Sequence, residues 1–225
     1  MRVVEEINRT LHKLMSDYED LIIIGEDILD PYGGAFKVTK GLSTTYPERV
    51  ITTPISEASL IGFASGLAMQ KKPVIAEIMF GDFLGLAFDQ IINHISKFVW
   101  MFNEVNIPLI IRTPMGGGRG YGPTHSQSIE KHFCGIAGLN VFAIDQFMDI
   151  EKTYCNFLES KKPTLIIENK ILYSRELKKK FEFPTHDKPD VICLAYGSSL
   201  EICINAAKKL LDSEEILIEV IPIRK

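Results

Sequence analysis

Glu57 stands at the head of an apolar stretch of small residues, Pro54 to Leu67, reading Pro-Ile-Ser-Glu-Ala-Ser-Leu-Ile-Gly-Phe-Ala-Ser-Gly-Leu. Gly62 and Gly66 are four apart, so on a helix they share one face and let another backbone approach. Each glycine costs a helix about 1 kcal/mol relative to Ala, which implies a packing reason. The spacing puts a carboxylate where a close helix–helix contact would exclude water, and dry surroundings favour a carboxyl that keeps or shares a proton. An ordinary first-turn Glu, favoured there by the helix dipole, fits the same spacing. A second candidate is His125, which follows a loop with five glycines and precedes Ser126 and Gln127. An imidazole titrates near neutrality and can give or take a proton in a transfer step. His12, His94, His132 and His186 have no comparable setting.

The glycine loop, Gly116-Gly-Gly-Arg-Gly-Tyr-Gly, lacks the Gly-Lys-Ser/Thr ending of a phosphate loop and is no dinucleotide fingerprint. It reads as a mobile wall of a site entrance. Phe83 opens an amphipathic pattern, and its ring suits either a core or a stack against a bound ring. Phe80 is the weaker candidate for the same pocket. Glu26, in Gly-Glu-Asp after an apolar run, is either a turn charge or a second carboxylate that orders the Glu57 region.

Apolar runs separated by helical patterns must position these groups. Val3, Val4, Ile7, Leu11 and Leu14 recur at helical spacing. Leu21–Glu26 is a continuous apolar run of the kind a strand buried on both faces shows, and Val50–Thr52, Pro73–Ile78, Pro108–Arg112, Asn140–Ile144 and Thr164–Glu168 read as further short strands. Helices are expected over 37–46, after Ser56 as cap, over 83–99 (with Leu84, Phe88, Ile91, Ile95 and Phe98 on one face), and over 146–160. The alternation predicts an α/β fold, a mostly parallel sheet with helices on both faces. From Ser174 to Pro189 the composition shifts to a lysine run (Lys178, Lys179, Lys180) with two prolines, which marks a linker. One more strand–helix–strand unit follows.

Composition narrows the function. A hydrophobic fraction of 46% over 225 residues supports a real core. A net charge of −4 and the lack of a basic stripe argue against nucleic acid as partner. Four cysteines without a Cys-x-x-Cys pair read as reduced, mostly buried thiols. No apolar run nears 18 residues, so no membrane span is expected, and the start of the chain has no presequence pattern. The expected location is cytoplasmic.

Glu57, Gly62, Phe63, Gly66 and Leu67 together resemble the pyrimidine-side motif of thiamin diphosphate enzymes. Further segments resemble the β subunit of the decarboxylating component of 2-oxoacid dehydrogenase complexes, of pyruvate and branched-chain type. They are Gly-Glu-Asp at Gly25, Gly-Gly-Ala-Phe-Lys-Val-Thr-Lys-Gly-Leu at Gly33, Thr-Pro-Ile-Ser-Glu at Thr53, Ala-Phe-Asp-Gln-Ile at Ala87, Thr-His-Ser-Gln at Thr124 and Glu-Asn-Lys-Ile-Leu-Tyr at Glu168. The resemblance implies a transketolase-like pyrimidine-binding domain over 1–174, a linker over 175–190 and, over 191–225, the opening βαβ unit of the family's C-terminal domain. It implies thiamin diphosphate as cofactor, with Glu57 hydrogen-bonded to its aminopyrimidine, Phe83 against that ring and Glu26 in support. His125 would orient a 2-oxo acid or assist acyl transfer to a lipoyl group.

The family's diphosphate signature, Gly-Asp-Gly with a later Asn, is missing, because Gly81-Asp82-Phe83 departs at the third place. The resemblance therefore implies an α subunit that supplies the diphosphate and Mg²⁺ half of the site, in an α2β2 assembly, with a structural potassium ion and a lipoyl acyltransferase core as further family features. Leu86 stands where the pyruvate type carries Gln, so the substrate stays open. Two alternatives remain at this level: a subunit of a split transketolase-like aldehyde-transferring enzyme, and a non-catalytic scaffold subunit.

Overall fold

The computed structural model describes residues 1–101, 105–160, 162–178 and 181–225. Lys179 and Lys180 of the expected linker lie outside them. Six strands, β1 (Ile22–Gly25), β2 (Val50–Thr52), β3 (Val74–Glu77), β4 (Leu109–Met115), β5 (Asn140–Ala143) and β6 (Thr164–Asn169), form one parallel sheet in the order β2-β1-β3-β4-β6-β5. The expected α/β architecture is observed. Side chains alternate between two cores, as the two-residue period of a strand requires. Ile23, Ile75, Ile110 and Ile166 face helices α1 (Val3–Asp17) and α5 (Ile150–Ser160). Ile24, Ala76, Ile111 and Ile167 face α3 (Glu57–Met69) and the segments that follow β3. Both faces are covered, which is why the strands read as unbroken apolar runs.

Two expected helices differ. Over 37–46 only α2 (Leu42–Thr45) is helical. The Asp30 carboxylate accepts hydrogen bonds from the Gly41 and Thr44 N–H groups at 2.8 and 3.0 Å and from the Ser43 and Thr44 hydroxyls, both at 2.8 Å. The Gly41 N–H leads the effects that lower its pKa to about 2. That side chain, not backbone periodicity, shapes the segment.

Over 83–99 the winding changes twice, from a 3₁₀ turn (Gly81–Ala87) through a π-helical stretch (Gln90–Ile95) to α4 (Ser96–Met101). The buried apolar residues are Leu84, Ala87, Ile91 and Ile95, while Phe88 is 36% exposed. The three-residue step from Leu84 to Ala87 suits the tighter winding.

Strands β7 (Val191–Ala195) and β8 (Ile218–Pro222) pair in parallel around α6 (Ser199–Glu214) as a separate two-stranded sheet. This unit is docked. Arg224 donates to buried Asp145 at 2.6 Å, its carbonyl accepts the Ala143 N–H at 2.8 Å, and the Tyr196 hydroxyl meets Glu130 at 2.6 Å. Phe147 joins the small core of the tail together with Phe181 and Phe183. The four cysteines are free, with Cys134 exposed and the others half-buried, so the expectation of mostly buried thiols is corrected. Among the described residues, no helix is long and apolar enough to cross a membrane.

Candidate active site

All the candidate residues lie just beyond the carboxyl ends of parallel strands, where open α/β sheets bind ligands. They form two groups. In the first, Glu26 follows β1 and Glu57 follows β2, brought together because β1 and β2 are neighbours. The Thr53 N–H bonds to the Gly25 carbonyl at 3.0 Å, and the Glu26 carboxylate accepts the Ser56 N–H at 3.0 Å. Glu26 thereby fixes the residue before Glu57. Ser56 does not cap α3 with its side chain, and its hydroxyl bonds to that of Ser59 at 2.9 Å.

Glu26 and Glu57 are 2% and 4% exposed within this single chain. Burial, followed by the neighbouring Glu57 charge, pushes the Glu26 carboxyl above its ordinary value, although the Ser56 N–H works against it. The turn-charge reading of Glu26 is thereby set aside. Among the described residues, the Glu57 carboxylate has no hydrogen-bonding partner.

The second group follows β3, β4 and β6. Phe83 is half-buried in the 3₁₀ turn, 6.0 Å edge-on from buried Phe80, and the His125 ring lies 4.8 Å from Phe80 and 5.2 Å from Phe83. Phe36 and Tyr121 close the cluster around Phe80 at 5.8 and 5.7 Å. Phe80 is thus the centre of the aromatic wall, and Phe83 is its more open member.

His125 Nδ1 is 3.0 Å from the Thr124 hydroxyl. The Gly116 N–H bonds to the Gln127 carbonyl at 3.0 Å, and the Gln127 N–H bonds to Asp82 at 3.1 Å, so both ends of the glycine loop are tied. Gly116 has φ +87°, and a Cβ there would lie 2.7 Å from the Asn169 amide, which requires glycine. Among the described residues, no hydrogen bond, ion pair or ring contact joins the two groups. None contains three or more His, Cys, Asp or Glu arranged to hold a metal.

Three features were not read as part of the site from the sequence, although Glu168, Lys170 and Tyr173 lie in a segment that carried the resemblance. Lys170, just past β6, is fully buried beneath the His125 loop. Asp82 tethers that loop. Below the aromatic wall, Arg112 on β4 bridges Glu77 on β3 and Glu168 on β6, and Tyr173, which also bonds to Glu168, packs edge-on at 5.3 Å from Phe36. Glu77 and Arg112 are directly paired in the β3–β4 register, which is a three-dimensional relation.

Residues 1–176 match the family described as "Transketolase, pyrimidine binding domain". Among curated proteins, the chain is 32% identical to the acetoin:2,6-dichlorophenolindophenol oxidoreductase subunit beta of Cupriavidus necator, over 97% of this chain and 70% of that protein. It is 31% identical to the mitochondrial pyruvate dehydrogenase E1 component subunit beta-2 of Oryza sativa subsp. japonica, over 100% of this chain and 63% of the relative. The 3-methyl-2-oxobutanoate dehydrogenase subunit beta of Mycobacterium tuberculosis is 38% identical, over 63% of this chain and 41% of its own length. A structure titled "Split gene transketolase, inactive beta4 tetramer" superposes with TM-score 0.74 at 22% identity, covering 99% of this chain and 71% of that one, which supports the fold alone.

Proposed function

This chain belongs to the transketolase pyrimidine-binding-domain family, among the E1 β subunits of 2-oxoacid dehydrogenases, and on that premise we propose that it completes a thiamin diphosphate-dependent site together with an α subunit. The reaction is oxidative decarboxylation of a 2-oxo acid with acyl transfer to lipoamide. The observation that carries this reading is Glu57, a 4%-exposed residue at the head of α3, beyond β2, whose carboxylate has no hydrogen-bond partner among the described residues. A buried carboxyl left open in this way fits a donor or a protonated ring nitrogen from a bound heterocycle.

Thiamin diphosphate, when bound, supplies the carbanion chemistry of decarboxylation. Glu57 would hold and share the proton at the pyrimidine nitrogen, Glu26 would position Glu57 through the Ser56 N–H, and Phe83, backed by Phe80, would wall the ring. At the mouth, His125 would move the proton that acyl transfer requires.

No diphosphate and Mg²⁺ site is assigned to this chain, and its outer face suits a companion that brings one. Gly62 would meet only Gln90, at 4.0 Å, and Gly66 nothing, so the face that allows a close backbone approach points outward. Phe63 (54%), Leu86 (62%), Trp100 (67%) and Met101 (63%) are exposed. Exposed apolar surface of this kind marks an association site. The companion in this reading is the α subunit, in an α2β2 assembly.

The test is calorimetry with thiamin diphosphate and magnesium on this chain, on an α subunit bearing Gly-Asp-Gly and its downstream Asn, and on the mixture. Tight, magnesium-dependent binding is expected from the mixture only. Glu57→Gln in the mixture should bind but not decarboxylate a 2-oxo acid. Undiminished turnover by that variant, or tight binding by this chain alone, refutes the proposal.

A further inference from the structure

Lys170 is a fully buried ammonium in a place where no catalytic scheme above uses it. Its Nζ donates to the backbone carbonyl of His125. The same nitrogen lies 5.0 Å from the Phe80 ring centre and 5.5 Å from that of Tyr121. No carboxylate of the described residues forms an ion pair with it. Burial leads in lowering its pKa, the nearby Asp82 charge opposes that shift, and the Arg119 charge adds to it. Burying a cation without a carboxylate partner is unfavourable, so the two rings and the one carbonyl must compensate for water.

The backbone of Lys170 is equally committed. Its N–H bonds to the Met115 carbonyl at 2.9 Å, just before the glycine loop, and its carbonyl accepts Arg119 Nη2 at 2.9 Å, within the loop. One residue at the end of β6 therefore grips the start, the middle and the His125 end of the loop after β4. The loop itself has little stiffness, because Gly116, Gly118, Gly120 and Gly122 all adopt positive φ. Its other tethers hold Gln127 and not residue 125, apart from a 3.3 Å bond from the His125 N–H to the Gly122 carbonyl.

We propose that Lys170 is the positioning residue of His125: its ammonium fixes the backbone of that residue, and so the ring, against the Phe80–Phe83 wall without itself reaching substrate. This rests on the reading of His125 as the proton-transfer group at the mouth. A charge-assisted bond to a backbone carbonyl is well suited to the task, since it is stronger than a neutral one. It also holds the main chain without occupying a ring nitrogen: Nδ1 meets the Thr124 hydroxyl at 3.0 Å, and Nε2 has no hydrogen-bond partner among the described residues.

The test has two arms. In the first, the full chain with isotope-labelled histidine is compared by NMR as wild type, Lys170→Met and Lys170→Arg, with the His125 signal identified by its loss in His125→Ala. Lys170→Met should shift or broaden the His125 signal and leave the other four histidines in place, and Lys170→Arg should restore most of it. In the second, the same variants are assembled with the α subunit. Lys170→Met should slow acyl transfer about 10²-fold, the effect expected of a displaced catalytic group, and Lys170→Met/His125→Ala should be no slower than His125→Ala alone. An unmoved His125 signal in a folded Lys170→Met chain overturns the assignment, as does an additive double variant. If Lys170→Met does not fold, an Arg variant with native folding but a displaced His125 signal overturns it too, because Arg keeps the charge and the donor. A moved signal in a chain whose wild-type assembly turns over no 2-oxo acid supports the positioning and refutes the reaction instead.

Discussion

Replacing Arg112 with Met should be among the most damaging single changes available in the main sheet. Arg112 is 1% exposed and donates to Glu168 at 2.8 Å through Nε, again to Glu168 and to Glu77 through the other nitrogens, and to the Tyr173 hydroxyl at 3.1 Å. One cation serves two carboxylates. Burial opposes the charge on both, but Glu168, bound in bidentate fashion and also hydrogen-bonded by Tyr154 and Tyr173, stays below its ordinary pKa, while Glu77 is pushed above it. Methionine would fill much of the volume and leave two buried carboxyls without a counter-charge. Removing one partner of a buried pair costs about 3–5 kcal/mol. With a urea dependence of about 3 kcal/mol per molar, the midpoint should fall by roughly 1–1.7 M at pH 8.

The sign with pH follows. In the variant both carboxyls have raised folded pKa values, so the stability they contribute is present at low pH and lost as pH rises. The gap to wild type should therefore narrow as pH falls from 8 toward 4.5. Converting Glu77 and Glu168 to Gln in the same background should recover most of the midpoint. A shift below roughly 0.3 M, or one that does not change with pH, would refute the account of this network.

Other outcomes are equally direct. Gly66→Leu should leave the unfolding midpoint of the isolated chain near wild type, since nothing lies within 4 Å of the added Cβ, yet abolish association with the α subunit in analytical ultracentrifugation; normal assembly would move the interface elsewhere. Glu26→Gln retains an acceptor for the Ser56 N–H and removes a carboxyl whose folded pKa is raised. The stability that carboxyl contributes at low pH is lost as pH rises, so the variant should unfold later than wild type at pH 8 and together with it near pH 4, by circular dichroism. Limited proteolysis should cut first within 178–188 and leave the tail bound until Arg224→Ala removes its bond to Asp145; release without that substitution would mean that the docking contacts are weak.

The sheet was legible because its strands are buried on both faces, and Leu21–Gly25 or Thr164–Glu168 carry that fact in their composition. Glu57 was legible because its helix is made of small residues, and its burial follows from that neighbourhood. The winding of 81–101 was not, because Leu84, Ala87, Ile91 and Ile95 fit several helical pitches and only packing selects among them. Neither Arg112 nor Lys170 could be read as buried. Their partners lie 56 and 45 residues away, and a charged residue in a strand carries no mark of the acceptor it will meet. The docking of the tail was not legible either, because the Arg224–Asp145 pair joins residues 79 apart.

In the reading proposed above, the exposed Phe63, Leu86, Trp100 and Met101 would make the free and assembled chains different solutes. Alone, the protein carries a surface that water disfavours and that any other apolar surface can cover, including another copy of itself in the wrong register. Its supply ratio therefore matters as much as its fold. A cell that made this chain ahead of its companion would accumulate the species most prone to aggregate, whereas matched synthesis would bury the face as soon as it formed. On that reading, glycines that permit a close fit with one partner would offer no means of refusing others, and selectivity would rest on timing and abundance.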